Sequence, residues 1–186
     1  MQNKPELLEK ISATVLSLGA TKVGVVEVKD IPLDRVFRDM CAANSCGAYG
    51  KNWTCPPAIC VIDDLMEKIR SYDTAVVYQT IGEIEDSFDF EGMTEVGERH
   101  RQLVFDVRDA CREMELGEAL FLGAGGCRYC PVCAKVTDEP CRFPDQAISS
   151  LEAHGINVSK LAPLAGMKYI NGANTVTYFG GIFLRD

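Results

Sequence analysis

The sequence predicts a single α/β domain over residues 1–186, with one mixed sheet covered by helices and two cysteine-rich loops that bind metal. Helical and strand patterns alternate through most of the chain, which is typical of a sheet covered by helices. The 186 residues, 47% of them hydrophobic, are enough to bury one ordinary core. Eight of the nine cysteines lie in two segments, 41–60 and 123–144. We expect these two loops to carry the ligands.

The first half of the chain predicts two units in which a helix precedes a strand. Apolar residues recur at helical spacing over 5–18, and the valine-rich segment 22–28 predicts a buried strand. Residues 40–60 contain glycine, proline and four cysteines without periodicity, so an irregular loop is expected there. A helix over 62–69 and a strand over 74–81 follow.

The second half of the chain predicts a long helix, further strands and a short helix. The clearest helical pattern covers 95–116, with Thr94 as its N-cap. Residues 119–126 predict a strand that runs into a glycine-rich turn, and the second cysteine loop begins at once. A short helix is expected over 144–154, and one or two strands over 175–184.

The charge of the chain argues against nucleic acid as a partner. The formal net charge is -8, whereas a protein that binds phosphate backbones needs a basic face. The first residues lack the apolar core of a secretory signal, and no apolar run approaches the ~20 residues that span a bilayer. We therefore expect a cytoplasmic protein that has no membrane partner.

The cysteines are the most informative residues. Cytosolic thiols are kept reduced, so nine of them favour metal ligation or thiol chemistry over disulfides. Cys111 stands alone on the predicted long helix and is expected to be a small core residue. The remaining cysteines form a first set, Cys41, Cys46, Cys55 and Cys60, and a second set, Cys127, Cys130, Cys133 and Cys141.

The second set predicts a [4Fe-4S] cluster. Three of its members follow the spacing C-x2-C-x2-C, and seven residues separate Cys133 from Cys141. The same triple spacing wraps one loop around a cluster in bacterial ferredoxins, with a more distant cysteine as the fourth ligand. A zinc site is usually assembled from two separated pairs of ligands, so zinc is the less favoured alternative.

Glycines and basic residues beside the second set support an anionic centre. Gly123, Gly125 and Gly126 leave backbone N–H groups free to approach cluster sulfides, and we predict that they contact the cofactor. Three basic side chains would offset the negative charge of the cluster: Arg128, Lys135 and Arg142.

The spacing of the first set is less regular and leaves several interpretations open. Its four cysteines are candidate ligands of a second cluster. Alternatively, one or two of them complete the other site, or they are reactive thiols in a pocket with Tyr49 and Trp53. The histidines His100 and His154 are both expected at the surface, and no hydrolytic motif is present in the sequence.

Three long segments resemble a known family: YGKNWTCPP, GGCRYCPVC and EPCRFPDQAISSLEAHGINV. They are similar to a widespread domain-of-unknown-function family, described as predicted metal-binding proteins and frequent in anaerobic archaea and bacteria. The resemblance covers most of the chain and implies an iron-sulfur protein without an established reaction. It places Cys41, Cys46 and Cys55 in a first site and all four cysteines of the second set in a second site. Cys60 departs from the family pattern. A site with three cysteines implies an iron open to a substrate or to another ligand.

Three functions follow as hypotheses. The first is a redox protein whose cluster transfers single electrons to or from a partner protein in anaerobic metabolism. The second is an enzyme whose open iron binds a small molecule for reductive or sulfur-transfer chemistry, with Cys60 or Cys111 as a candidate nucleophile. The third is a binding module that zinc stabilises.

Overall fold

The computed structural model describes residues 3–114 and 116–185, and within them a five-stranded mixed sheet forms the centre of the protein. The strand order is β1-β2-β5-β3-β4. Strands β3 and β4 pair in parallel, and the other neighbours are antiparallel. The strands are β1 (Lys22–Glu27), β2 (Thr74–Glu83), β3 (Ala119–Gly123), β4 (Ser149–Ser150) and β5 (Thr175–Leu184). The prediction of an α/β fold with one mixed sheet is confirmed.

Helices cover both faces of this sheet. Residues of α1 and α4 share one apolar cluster with side chains of β2 and β5, while residues of α3 and α5 share a second cluster on the opposite face. The protein is therefore built in three layers. The helices are α1 (Lys4–Ser17), α2 (Val36–Ala42), α3 (Ile62–Arg70), α4 (Phe90–Arg112) and α5 (Val158–Leu164).

Strand β2 lies inside the sheet and contributes to both apolar clusters. Its side chains alternate, with Ala75 and Val77 in one cluster and Val76 and Tyr78 in the other. A Cβ atom at Gly180 of β5 would lie 2.4 Å from the ring of Tyr78, so this position needs a glycine. The Tyr78 ring of β2 therefore occupies the space that a side chain at Gly180 of β5 would need.

Two elements differ from the sequence prediction at their edges. Strand β1 was expected to be buried, yet it lies at the edge of the sheet, and Val25 is 43% exposed. Helix α4 begins earlier than predicted, since Asp89 is its N-cap and accepts a 2.8 Å hydrogen bond from the backbone N–H of Gly92. Thr94 instead lies inside the helix, where its hydroxyl donates to the Phe90 carbonyl.

The prediction of one helix over 144–154 is wrong. Two single 3-10 turns, at 144–146 and 152–154, flank the short strand β4 in this segment. The pairing of β4 with β3 depends on a distant part of the chain, so local periodicity does not reveal it. The segment 175–184 forms one strand, and the sequence prediction missed helices α2 and α5.

Both histidines are buried, which contradicts the prediction that they lie at the surface. His100 is 1% exposed, and its Nδ1 lies 2.8 Å from the Thr80 hydroxyl. His154 is 4% exposed, and its Nδ1 lies 3.1 Å from the Ser150 carbonyl. The charged neighbours of His100 in sequence point elsewhere, because residues three or four positions apart share a helix face and adjacent residues do not.

Burial keeps these histidines neutral in the folded protein. Loss of solvation lowers the pKa of His100 to about 4, against a backbone hydrogen bond at Phe179 that raises it. Loss of solvation likewise lowers the pKa of His154 to about 4, and the charges of Lys68 and Arg38 lower it further. Each imidazole therefore takes up a proton more readily in the unfolded chain.

No helix in the described part of the chain is both long and apolar enough to cross a bilayer.

Candidate metal centre

The four cysteines of the second set line one cavity in the loop that follows β3. Trp53, Tyr129 and Phe143 form part of its wall, and the rings of Tyr129 and Phe143 meet edge to face at 5.2 Å. Each of the four cysteines is partly exposed. The loop thus arranges four thiols and three aromatic rings around one space.

These thiols surround the cavity without converging on one point. Among the residues that the structure describes, no three Cys, His, Asp or Glu side chains form a group that could hold a single metal ion. The cysteines of the second set therefore share a cavity wall, as their spacing in the sequence led us to expect, but they are spread along it.

Three cysteines of the first set lie close enough to influence one another. Burial raises the pKa of the Cys55 thiol to about 11, a Thr54 hydrogen bond lowers it, and the neighbouring thiols of Cys46, Cys41 and Cys127 raise it further. Burial also raises the pKa of Cys41, with Cys46 as the next cause. Cys41, Cys46 and Cys55 therefore form one electrostatic group, which Cys127 of the second set adjoins.

The fourth cysteine of the first set is placed differently. Cys60 is exposed, and among the described residues its thiol is not one of those that shift the pKa of Cys41 or Cys55. Its backbone carbonyl accepts a 2.9 Å hydrogen bond from the guanidinium of Arg38. The structure thus brings three cysteines of this set together and leaves Cys60 outside the group.

The two sets meet at the glycine-rich turn after β3. A Cβ atom at Gly126 would lie 3.0 Å from the Cys55 sulfur and 3.2 Å from the side-chain nitrogen of Asn52. A larger residue at this position would therefore push the two loops apart. Gly123 has another role, since a Cβ atom there would lie 3.3 Å from Val104 and would disturb the packing of β3 on α4.

Asn52 and Thr54 tie the first cysteine loop to the second. The side-chain amide of Asn52 donates to the Cys127 carbonyl, and the Thr54 hydroxyl accepts from the Cys127 backbone N–H at 3.0 Å. The side-chain oxygen of Asn52, Oδ1, also accepts hydrogen bonds from the backbone N–H and the hydroxyl of Thr54. Asn52 is only 7% exposed, so each of these polar atoms needs its partner. We call these two residues the Asn52–Thr54 latch.

Further contacts hold Trp53, which lies between the two latch residues, and the backbone of Thr54. The Trp53 indole donates a 2.9 Å hydrogen bond to the Glu139 carbonyl, and the Lys135 ammonium lies 4.6 Å from the centre of the Trp53 ring. The Ser149 hydroxyl of β4 donates to the Thr54 carbonyl at 2.9 Å. The segment 52–54 therefore links both cysteine loops to the sheet.

Sequence reasoning missed the latch, because it considered only the cysteines, aromatic residues, glycines and basic residues of these loops. The available signal was the pair of short polar residues, Asn52 and Thr54, beside Cys55 in a loop without periodicity. Such residues often hydrogen-bond to backbone groups and fix irregular segments.

The three basic residues expected near the second set occupy different surroundings. Arg142 lines the cavity of the second set, donates to the Val132 carbonyl at 3.2 Å and lies 3.6 Å from the Glu139 carboxylate. Lys135 pairs with Asp138. Arg128 lines a separate cleft beside α4.

Cys111 lies in the core, as its position on the predicted helix indicated. It has no exposed surface and belongs to the apolar cluster that α1 and α4 form on the sheet. Burial raises the pKa of its thiol to about 11, so it stays protonated near neutral pH.

The comparison with protein families supports the expectation that this chain binds metal. The chain belongs to a family of predicted metal-binding proteins (DUF2284), whose family model matches residues 24–184. The resemblance that the sequence motifs indicated is therefore confirmed at the level of the family. Neither the curated proteins nor the solved structures contain a match to this chain.

Proposed function

We propose that this member of the predicted metal-binding family is an iron-sulfur protein whose second cysteine set binds a [4Fe-4S] cluster. The observation that carries the proposal is the single cavity that all four thiols line. A four-iron cluster takes each thiolate at a different iron, so its ligands lie around the edge of a cavity. Zinc, with Zn–S distances of about 2.3 Å, would need its thiolates about 3.8 Å apart around one point.

The walls of the cavity suit such a cluster. The aromatic side chains Trp53, Tyr129 and Phe143 limit the access of water, and solvent exposure is one determinant of cluster potential. Arg142 supplies a positive charge at the same wall. These residues would hold the cluster in a shielded and partly neutralised site.

Four cysteine ligands leave no iron for a substrate, so the function of this site is electron transfer. The cluster supplies a centre that takes up and releases one electron. The chain supplies the four thiolates and the shielding rings, and we expect a partner protein of anaerobic metabolism to exchange the electron. In this role the second set acts as a carrier or relay.

The first set supports a second candidate function, that of an enzyme. Cys41, Cys46 and Cys55 influence one another electrostatically, whereas Cys60 stands apart. Bringing three thiolates together, two of them partly buried, is unfavourable without a cation, so a metal centre would stabilise this arrangement. A cluster with three cysteine ligands keeps one iron available to a small molecule, for reductive or sulfur-transfer chemistry.

The test is a count of iron, zinc and acid-labile sulfide, with a visible spectrum, on protein purified without oxygen. About four irons and four sulfides per chain are expected for the second set, and about eight of each if the first set also holds a four-iron cluster. Cys133→Ser should lose the iron of the second set. Zinc without sulfide would overturn the proposal.

Two more variants separate the sites. Cys55→Ser removes a member of the electrostatic group of the first set, and Cys60→Ser changes an exposed cysteine of the same loop that lies outside the group. If the first set binds iron, Cys55→Ser lowers the iron content and Cys60→Ser leaves it unchanged. Unchanged iron in Cys55→Ser would restrict the protein to the carrier function.

A further inference from the structure

A cleft of about 250 Å³ lies between the first cysteine set and α4. Cys46, whose side chain is exposed, reaches one wall, and the turn at Gly125 and Gly126 forms another. Helix α4 contributes Arg101, and the second cysteine loop contributes Arg128. The volume lies just below the range of about 300–1,000 Å³ that is typical of small-molecule sites, so the cleft suits a small ligand.

The charge of this cleft is opposite to that of the chain. Among the described residues that line it, the charged ones are Arg101 and Arg128, although the chain carries a formal net charge of -8. Arg101 forms an ion pair with Glu98, whose carboxylate lies 3.8 Å from the guanidinium and whose side chain is 62% exposed. Within the described residues, Arg128 forms no ion pair.

The neutral polar residues of the cleft already donate to protein groups. The Tyr178 hydroxyl donates to the Met93 carbonyl at 3.0 Å, and the Thr94 hydroxyl donates to a carbonyl of its own helix. In the described part of the chain, no residue accepts a hydrogen bond from the backbone N–H of Gly125 or Gly126. The donors left for a ligand therefore include the two guanidinium groups and these backbone N–H groups.

We propose that this cleft binds a small molecule with an oxyanion group, either a carboxylate or a phosphate, and that Arg101 and Arg128 bind that group. Guanidinium groups bind both kinds of oxyanion through paired hydrogen bonds, and the exposed Arg128, which forms no ion pair among the described residues, favours a ligand of negative charge. This inference deepens the proposed function, because it gives the class of small molecule that would meet the first cysteine set at Cys46.

The position of the two arginines argues against a purely neutralising role. They do not line the cavity of the second set, where Arg142 is the positive residue. They line instead the cleft that opens beside Cys46. An arginine that served only to offset the charge of the second cysteine set would be expected to line the cavity of that set.

Calorimetric titration at low ionic strength tests the inference, on the metal-containing protein purified without oxygen. The probes are inorganic phosphate, succinate and the uncharged analogue succinamide. We expect saturable binding of phosphate, succinate or both, and no binding of succinamide. Separate titrations with phosphate and with succinate show whether the cleft binds a phosphate, a carboxylate or both.

Three variants locate the binding. Arg101→Gln and Arg128→Gln should each weaken the affinity at least tenfold. Arg99→Gln is the matched control, since it removes the same charge from the same helix, but Arg99 lies outside the cleft and donates to the Ile81 carbonyl. Equal affinity in all three variants, or no binding by the parent protein, would overturn the inference.

Iron and sulfide counts on the same samples keep this result separate from the proposed function. Protein with a normal iron content that binds neither anion refutes the cleft inference and leaves the iron-sulfur proposal in place. Protein that contains zinc and no sulfide, yet binds an anion through Arg101 and Arg128, refutes the iron-sulfur proposal and supports the cleft. Loss of iron in Arg128→Gln with full anion affinity would show that this residue serves the metal site and would overturn its role here.

Discussion

Replacement of Gly126 by alanine tests the contact between the two cysteine sets most sharply. The added carbon would lie 3.0 Å from the Cys55 sulfur and 3.2 Å from the Asn52 side-chain nitrogen. Favourable contacts between heavy atoms lie at about 3.5–4.0 Å, so both groups must move by a few tenths of an ångström. Overpacking of this kind costs about 1–3 kcal/mol, and we expect the free energy of unfolding to fall by that amount.

The same displacement should loosen the metal. Cys55 is a candidate ligand, and Asn52 holds the carbonyl of Cys127, so movement of either one shifts a thiol. If about 1.4 kcal/mol of the strain is relieved when the metal leaves, its release becomes about tenfold faster. Release to an added iron chelator, followed by absorbance without oxygen, measures this rate, and urea unfolding measures the stability.

Gly125→Ala is the matched control for this experiment. Gly125 has a φ of +71°, and a Cβ atom there meets nothing within 4 Å. Alanine therefore pays a backbone cost of about 1–2 kcal/mol in the left-handed region without displacing a thiol. We expect a similar loss of stability in the two variants and faster metal release in Gly126→Ala alone. Identical release rates in both variants would refute the contact between the loops.

Three other predictions follow from buried groups. Because His100 and His154 have pKa values of about 4 in the folded protein, against about 6.5 in the unfolded chain, acidification through this window removes stability. Protonation of each histidine should lower the free energy of unfolding by about 2 kcal/mol between pH 7 and pH 5. Urea unfolding at these two pH values should show a smaller loss of stability for His154→Gln than for the parent protein. Cys111→Ser buries a hydroxyl in an apolar cluster and should cost about 1–3 kcal/mol with unchanged iron content; lost iron would mean that Cys111 is a ligand. Asn52→Ala breaks the Asn52–Thr54 latch and should cost about 1–3 kcal/mol, and a stability equal to that of the parent would show that the latch contributes nothing.

The sequence predicted most of the elements that carry their own periodic pattern. Helix α3 and strands β2 and β3 lie where the spacing of apolar residues placed them, because each has a buried stripe or run. Strand β4 has only two residues, and it exists because β3 lies beside it, so its short sequence holds no signal of its own. The position of His100 was misjudged from its charged neighbours in sequence, although Val96 and Leu103 place it on the buried face of α4.

The candidate site shows the same division between local and distant information. The C-x2-C-x2-C spacing is local, and the cysteines that it groups line one cavity in the structure. The approach of Cys55 to Gly126 joins segments that lie far apart in sequence, and the latch and the turn after β3 fix it. The cleft at Arg101 and Arg128 likewise requires α4 and the second loop to be placed against each other, so spacing alone does not predict it.

The two cysteine loops have little apolar burial to hold them, which makes metal removal informative. Within the described segment 41–60, the buried residues are Asn52 and Pro56, and within 123–144 they are Gly123 and Ala134. Ordering each backbone residue costs about 1–2 kcal/mol, whereas a hydrogen bond contributes only about 1 kcal/mol net. Metal–thiolate bonds at the proposed centre would add the missing stability to these loops, as they do in other small metal-binding folds.

Removal of the metal should therefore loosen the loops and leave the sheet intact. Strands β2 and β5 supply side chains to both apolar clusters, which do not depend on the cysteine loops. After chelation without oxygen, amide hydrogen exchange should become faster across 41–60 and 123–144, while the amides of β2 and β5 remain protected. Equal acceleration in loops and strands would mean that the metal supports the whole fold, and unchanged exchange in the loops would mean that the latch alone orders them.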